Sequence, residues 1–480
     1  MTIRAPLAAA TPRAHARIRA DVSYDLPVPR DARLLFARAW LFLGLAALLG
    51  SGLFSILLVL ARAPFTQALF PWNDFFRTAL VVHVDLSVLV WFVAFGGMLW
   101  SLNSTSRWLH VGYAALVLSM AGTVLMLVAP FTGDARPLMS NYIPVLQQPL
   151  FLGGLVLFAL GTALVVLRAM GAIPRVGMYV DAAGALRFGL NTAAVATALA
   201  LIAFAWSYAT LPQILAGKPY YELLFWGGGH VLQFTYTLLM LVAWLWLASA
   251  SGLTLTLSPR VALLLFGFGL LAVFAVPPIY LAYDVTSVEH VQLFTWLMRY
   301  GGSLAALPLA LAVTIAALRG GRMESAAQRP LRAALVASIL LFAVGGGIGF
   351  LIRGSNVTIP AHYHGSIVGV TLAFMGLTYH LLPRLGYRAP NARWARAQPW
   401  AYGGGQFLHV LGLVISGGYG VQRKVAGAEQ ALNGIERIAG MGLMGLGGLV
   451  AILGGLLFLV LVVAAMRGRT DARDQVPRET

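Results

Sequence analysis

About twelve long apolar runs divide this 480-residue chain, each long enough to carry a helix across the hydrocarbon core of a bilayer. They fall near residues 38–60, 77–102, 108–129, 148–169, 187–212, 222–249, 261–284, 293–318, 332–353, 359–384, 399–422 and 440–466. A bilayer interior holds no water, so backbone polar groups there are satisfied only within a helix or a closed barrel, and runs of this length select the helix. With 59% of residues hydrophobic and 10% charged, the expected fold class is an all-α membrane protein, with a bundle of about twelve transmembrane helices over residues 38–466. Residues 1–37 and 467–480 read as polar tails, and the Arg-rich start does not have the form of a signal peptide. No soluble domain and no internal repeat stands out.

The formal charge of +17 comes from arginines dispersed over the connections between apolar runs, a topological pattern that gives no reason to expect a nucleic-acid partner. If twelve helices alternate, Arg4, Arg13, Arg17, Arg19, Arg30 and Arg33 share one side with Arg319, Arg322, Arg329, Arg384, Arg388, Arg393 and Arg396. That side is expected to be the cytoplasm, with both termini on it, in a bacterial-type inner membrane. The chain has no cysteine, which excludes disulfides, thiolate ligands and a cysteine-held iron–sulfur cluster. Any metal must sit on nitrogen or oxygen.

Nine histidines are present, most of them inside or beside apolar runs, where an imidazole is costly enough to need a partner or a function. His83, His230, His362 and His364 lie about one to two turns below the outer ends of the second, sixth and tenth runs, so three helices bring them to one depth. In His362-Tyr363-His364 the two imidazoles point about 200° apart around the helix, so they cannot share one metal from a regular helix. They can serve two centres flanking it. Two haems would satisfy this, one of them taking His83 as its second axial ligand. A haem with histidine on both faces transfers electrons only, whereas one held on a single face can bind a gas.

Ile359-Pro360-Ala361-His362-Tyr363-His364, with the small-residue stretch leading to His380 and Pro383, resembles helix X of subunit I in haem-copper oxidases and nitric oxide reductases. His83 with Gly96-Gly97 resembles the helix II haem ligand of that superfamily, and Trp226-Gly227-Gly228-Gly229-His230 resembles its helix VI metal ligand. The resemblance implies that His83 and His364 bind a low-spin haem, that His362 is the proximal ligand of a high-spin haem, and that His230 binds copper or a non-haem iron facing it. Arg423 and Lys424 lie about where the family places a basic pair against haem propionates. His380 and His409 read as structural, and His110 is too far away to join.

The family pattern breaks at the seventh run, where a His-His pair should complete the second metal site. An ungapped register puts Tyr283-Asp284 there and makes Asp284 the expected oxygen ligand, while a shifted register brings in Glu289-His290 from the outer connection. A carboxylate in place of an imidazole suits iron better than copper. The acids Asp85, Glu222, Asp284 and Glu289 all fall toward the outer side, which fits proton delivery from outside by general acid groups such as Glu222 and Glu289. Tyr283 and Tyr236 are candidates for the redox-active tyrosine that O2 cleavage uses in this family.

The expected function is therefore a respiratory subunit I that passes electrons through the low-spin haem to a high-spin haem and non-haem metal, reducing NO to N2O in preference to O2. A cupredoxin-like or cytochrome c-like subunit is expected to supply the electrons, and membrane lipid surrounds the bundle. A non-catalytic haem protein, either gas sensor or haem-handling factor, is the main alternative, and a cofactor-free transporter a weaker one.

Overall fold

The computed structural model describes residues 22–67, 73–133, 135–174, 176, 180–321 and 323–468. The outer portions of both expected tails lie outside these residues. Twelve long helices follow one another: α1 (Ala32–Arg62), α2 (Phe75–Leu102), α3 (Leu109–Phe131), α4 (Pro149–Gly171), α5 (Ala182–Thr210), α6 (Gly217–Ala250), α7 (Pro259–Ala282), α8 (Val288–Arg319), α9 (Gln328–Gly349), α10 (Thr358–Arg384), α11 (Ala392–Gly418) and α12 (Ile435–Met466).

Among the described residues, eleven of these are long and apolar enough to cross a membrane. Helix α11 is the exception, because it carries polar side chains that turn inward and find partners there. Gln398 accepts from the Tyr379 hydroxyl (3.1 Å) and donates to the Gly454 carbonyl (3.2 Å), and His409 bonds the Met444 carbonyl. Helices α6 and α10 run through the middle of the bundle and are the most completely enclosed.

Several helices extend past the hydrophobic stretch that marks them in the sequence. Apolarity reports the depth of the hydrocarbon, whereas the helix continues until a cap or a breaker stops it. Helix α8 begins at Val288, with the Ser287 hydroxyl capping the His290 amide (3.1 Å), so Glu289 and His290 form its first turn. Helix α7 breaks at Phe274-Ala275, before Pro277-Pro278, whose missing amide hydrogens interrupt the ladder. In α2 a π-helical stretch, Asp85–Val90, follows His83, and the His83 carbonyl accepts from the Ser87 hydroxyl (2.6 Å).

Loop contacts define two ends of the bundle. At one, Asp25 pairs with Arg384 (2.5 Å) and accepts from Trp246 (2.7 Å), the Tyr24 hydroxyl donates to the Leu257 carbonyl (2.8 Å), and Arg332 bridges Ser251 and Gly321. The segment just before α1 is thereby tied to the bundle. At the other end, a short antiparallel hairpin between α3 and α4, β1 (Arg136–Leu138) and β2 (Val145–Gln147), projects its tip over the helix ends. The tip residue Tyr142 has φ +66°, a conformation costly for a side chain with a Cβ, and its neighbours hold it there.

Glycines set the closest helix approaches. At the α9–α10 crossing, a Cβ at Gly345 would sit 2.5 Å from the Gly365 carbonyl carbon, so the backbones touch directly beside His362 and His364. The Gly227–Gly229 run does something different. It clears space for rings from three neighbours: Tyr280 over Gly227, Phe204 over Gly228 and Tyr142 over Gly229.

Candidate haem site

His83 on α2 and His364 on α10 line one cavity of about 460 Å³, bounded by α1, α2, α10, α11, α12 and the hairpin tip. Each ring is oriented by a hydrogen bond at Nδ1. His83 Nδ1–H meets the Ser51 carbonyl (3.0 Å) with the Ser51 hydroxyl at 2.9 Å, and His364 Nδ1–H meets Gln406 Oε1 (3.2 Å). A carbonyl oxygen can only accept, so the proton belongs on Nδ1 and the lone pair on Nε2. That is the arrangement in which imidazoles are presented to metals, the partner at Nδ1 fixing both ring and tautomer.

The same anchoring recurs at His362 on α10, whose Nδ1–H donates to the Gly345 carbonyl (2.7 Å), and at His409 on α11, which donates to the Met444 carbonyl (3.0 Å). His362 and His364 thus leave their shared helix toward different neighbours, α9 and α11, as two positions about 200° apart require. His409, which the sequence suggests is structural, lines the same cavity as His364, with ring centroids 4.5 Å apart. Gln406 and His409, three residues apart, share a face of α11.

Positive charge surrounds this cavity. Arg62, at the end of α1, lines it with Nε and Nη2 buried and unpartnered, an orphaned donor set suited to an acidic or carbonyl substituent of a bound group. Arg423 and Lys424 close the rim. Lys424 donates to the Met139 carbonyl (2.6 Å) and to Asn141 Oδ1 (3.4 Å), which also accepts from Arg423 (3.3 Å). Burial, with Arg423 and Lys218 adding and Glu222 opposing, brings the Lys424 ammonium down to about 8. Glu222, at the start of α6, accepts from the Asn141 amide (3.0 Å) and from its side chain. Asp85, just beyond His83, is buried with both carboxyl oxygens unpartnered.

His230 on α6 is different. Its Nδ1–H donates to the Trp226 carbonyl (2.6 Å), but its Nε2 already accepts from the Tyr142 hydroxyl (2.7 Å). Burial raises the Tyr142 phenol well above the ordinary range, with Tyr363 and Glu222 adding, so it is a neutral donor. His290 is fully buried, its ring against Tyr280 and Phe294 at 4.9 Å each, and neither ring nitrogen has a partner. Asp284 lies on the exposed connection between α7 and α8, where its carboxylate accepts from the Thr286 amide (2.7 Å) and hydroxyl (2.5 Å), bonds that hold its pKa below the usual value. Tyr283 and Glu289 are exposed as well. Among the described residues, no three His, Asp or Glu side chains converge as a metal site.

The residues therefore fit haem and do not fit a non-haem metal at His230. The cavity offers two oriented imidazoles with free Nε2, an orphaned guanidinium and a basic rim. Around His230 the carboxylate is turned to solvent, the second imidazole, His290, packs on the same Phe294 ring without joining it, and the one available nitrogen is taken. Tyr142, Gln406 and Arg62 are functional candidates that hydropathy and histidine spacing do not reveal.

A membrane bundle that orients imidazoles from α2 and α10 into a basic-rimmed interior cavity belongs to the class of polytopic proteins built to hold a large planar prosthetic group. More specifically, this chain belongs to the family described as cytochrome c and quinol oxidase polypeptide I, whose sequence model matches residues 36–457. It is thus a member of the haem-copper oxidase subunit I superfamily. Among its relatives, the uncharacterized protein RP382 of Rickettsia prowazekii (strain Madrid E) is 29% identical over 493 residues, covering 88% of this chain and 94% of the relative. An uncharacterized protein of Aquifex aeolicus (strain VF5) is 28% identical over 362 residues, covering 75% and 88%. A cryo-EM structure of a heme-copper terminal oxidase dimer superposes with a TM-score of 0.69 at 16% identity, covering 94% of this chain and 86% of that one, a likeness of fold.

Proposed function

We propose that this chain is the haem-bearing subunit of a membrane oxidoreductase, in which His83 and His364 would hold one haem that would supply electron transfer and His362 would hold a second that would supply a position for reduction of a diatomic gas. The observation that carries the reading is the pair His83 and His364, on two helices, lining one cavity with Nδ1 anchored and Nε2 free. When bound, haem supplies electron transfer where imidazole holds both faces and an open gas position where it holds one.

The protein's own residues orient, neutralise and deliver protons. Ser51, Gln406 and the Gly345 carbonyl set the imidazole planes. Arg62, Arg423 and Lys424 offset the negative charge of haem carboxylates. Glu222, Asn141 and Lys424 are linked by hydrogen bonds at the same end of the bundle, which places a carboxylate and an ammonium, both able to exchange protons, at that side. The opposite end carries Arg33, Arg38, Arg384, Arg388, Arg393 and Arg396, which supports a cytoplasmic placement of that end and of both termini in a bacterial-type inner membrane.

NO is the favoured gas: 2 NO + 2 e⁻ + 2 H⁺ → N2O + H2O needs half the electrons of complete O2 reduction. One further observation points the same way: the linked polar groups Glu222, Asn141 and Lys424 lie at the histidine end. Electrons come from a cupredoxin-like or cytochrome c-like partner subunit. The filled Nε2 of His230 favours one second reading, a membrane haem protein that binds gas without reducing it. Anaerobic turnover of the purified protein with NO and separately with O2, at known haem content, tests both. N2O formation supports the first reading, gas binding without turnover the second, and an optical spectrum with no Soret band removes both.

A further inference from the structure

Among the described residues, five imidazoles share one pattern: Nδ1–H is tied to an oxygen acceptor, leaving Nε2 as the nitrogen with a lone pair. This holds for His83, His364, His362, His409 and His230. Only His230 then spends its Nε2 on a protein group, the Tyr142 hydroxyl. We propose that His230 is the acceptor half of a buried tyrosine–imidazole pair and not a metal ligand, and that Tyr142 fills the position its Nε2 would otherwise offer to an ion.

The contact is built from several directions. Gly229, immediately before His230, has no side chain, and a Cβ there would lie 2.5 Å from Tyr142 Cβ, so the glycine admits the ring. Trp226, one turn earlier on α6, packs edge-on against the same ring with centroids 5.9 Å apart. Tyr142 takes a left-handed φ of +66° to reach inward from the hairpin tip. Asn141 beside it is held by Glu222, Arg423 and Lys424. A residue that adopts an unfavourable backbone to deliver one hydroxyl, into a space cleared by a glycine, is a specified part of the site.

The groups that could turn His230 into a metal site do not join it, although His290 shares the Phe294 ring with it (centroids 4.9 and 6.1 Å). Asp284 is committed to Thr286 at the surface, and His290 is enclosed by Tyr280 and Phe294. The pair's role is then positional. It pins the hairpin, and with it Asn141, over the cavity rim where Arg423 and Lys424 converge. This inference does not depend on the haem reading, since it concerns α6 and the hairpin alone.

The test uses the purified full-length protein with whatever haem it carries. Metal analysis is expected to give the same non-haem iron and copper content in wild type and His230→Ala. Hydrogen exchange across residues 139–144 is expected to accelerate about two- to tenfold in both Tyr142→Phe and His230→Ala, the scale of one lost hydrogen bond, with no further gain in the double variant. His230→Gln should restore protection, because its amide oxygen accepts the phenol hydrogen yet is a poor transition-metal ligand. Tyr142→Phe and His230→Gln, the smaller changes, keep the test open if His230→Ala does not fold. A non-haem ion near one per chain that is lost in His230→Ala or in Tyr142→Phe overturns the proposal. So does unchanged exchange in the single variants, additive exchange in the double one, or failure of glutamine to restore protection.

Discussion

Replacing Gly345 by alanine tests whether the α9–α10 crossing holds the histidine segment in place. The added Cβ would lie 2.5 Å from the Gly365 carbonyl carbon, against about 3.5 Å or more for carbons in contact, so the helices must part by about 1 Å. That carbon and the Ser366 amide nitrogen, which lies nearer still, are both backbone, and neither can rotate away. Overpacking of this kind costs about 1–3 kcal/mol. The same displacement would stretch the 2.7 Å bond from His362 to the Gly345 carbonyl beyond hydrogen-bonding range, adding about 0.5–1.5 kcal/mol. Together these amount to about 1.5–4.5 kcal/mol, roughly 1–5 °C in unfolding midpoint for a chain of this size. Gly346 and Gly347 are the internal controls, because a Cβ at either meets nothing within 4 Å. Alanine there should be neutral or slightly stabilising, given the higher helix propensity of alanine. Thermal unfolding of the three variants in detergent, followed by circular dichroism, separates them. If Gly345→Ala melts no lower than Gly346→Ala, the crossing does not hold this segment and the reasoning fails.

His83→Ala and His364→Ala should each remove the sharp reduced bands of a six-coordinate haem while CO binding persists, and unchanged spectra in both would reject the axial pair. His362→Ala should abolish the CO-induced spectral shift with the six-coordinate bands retained, and a preserved shift would move the gas-binding haem to another ligand. Lys424 loses its proton near pH 8 in the haem-free protein, so binding of an anionic haem carboxylate beside it should carry a proton in above that pH, weakening haem affinity up to about tenfold per pH unit, with no slope from this group below it. Haem titrations from pH 7 to 10 should show that slope flattened in Lys424→Gln, and identical slopes would refute the contact. Asp284→Ala should leave metal and haem content unchanged, since the carboxylate caps a surface turn, and loss of a metal in that variant would place it in a site after all.

The bundle was legible in the sequence because the bilayer imposes one solution on a long apolar run. Departures from the expected spans lie where apolarity and helicity part company. Glu289 and His290 read as part of a connection because α8 begins with polar residues, yet the Ser287 cap starts the helix ahead of them and turns His290 into the interior. Glycine runs carry more than one meaning. Of Gly345–Gly347 one residue makes the helix crossing, whereas Gly227–Gly229 receives aromatic rings. The hairpin between α3 and α4 left no periodic signal, since three-residue strands are too short to show one.

Depth could be read for the histidines, because helix rise converts residue number into position along the membrane normal. What each imidazole can bind could not, for that depends on which oxygen meets Nδ1 and what faces Nε2. Ser51 and Gln406 belong to α1 and α11, far from His83 and His364 in sequence, and the acceptors for His362 and His409 are main-chain carbonyls that any residue would supply. The same limit explains His230. A glycine run followed by histidine looks like a metal ligand when only α6 is considered, but the group that answers its Nε2 comes from residue 142, 88 positions earlier, on a hairpin tip with an unusual backbone. Sequence therefore marks which helices carry imidazoles, while long-range partners decide which of their nitrogens are free, and at His230 the Tyr142 hydroxyl meets Nε2.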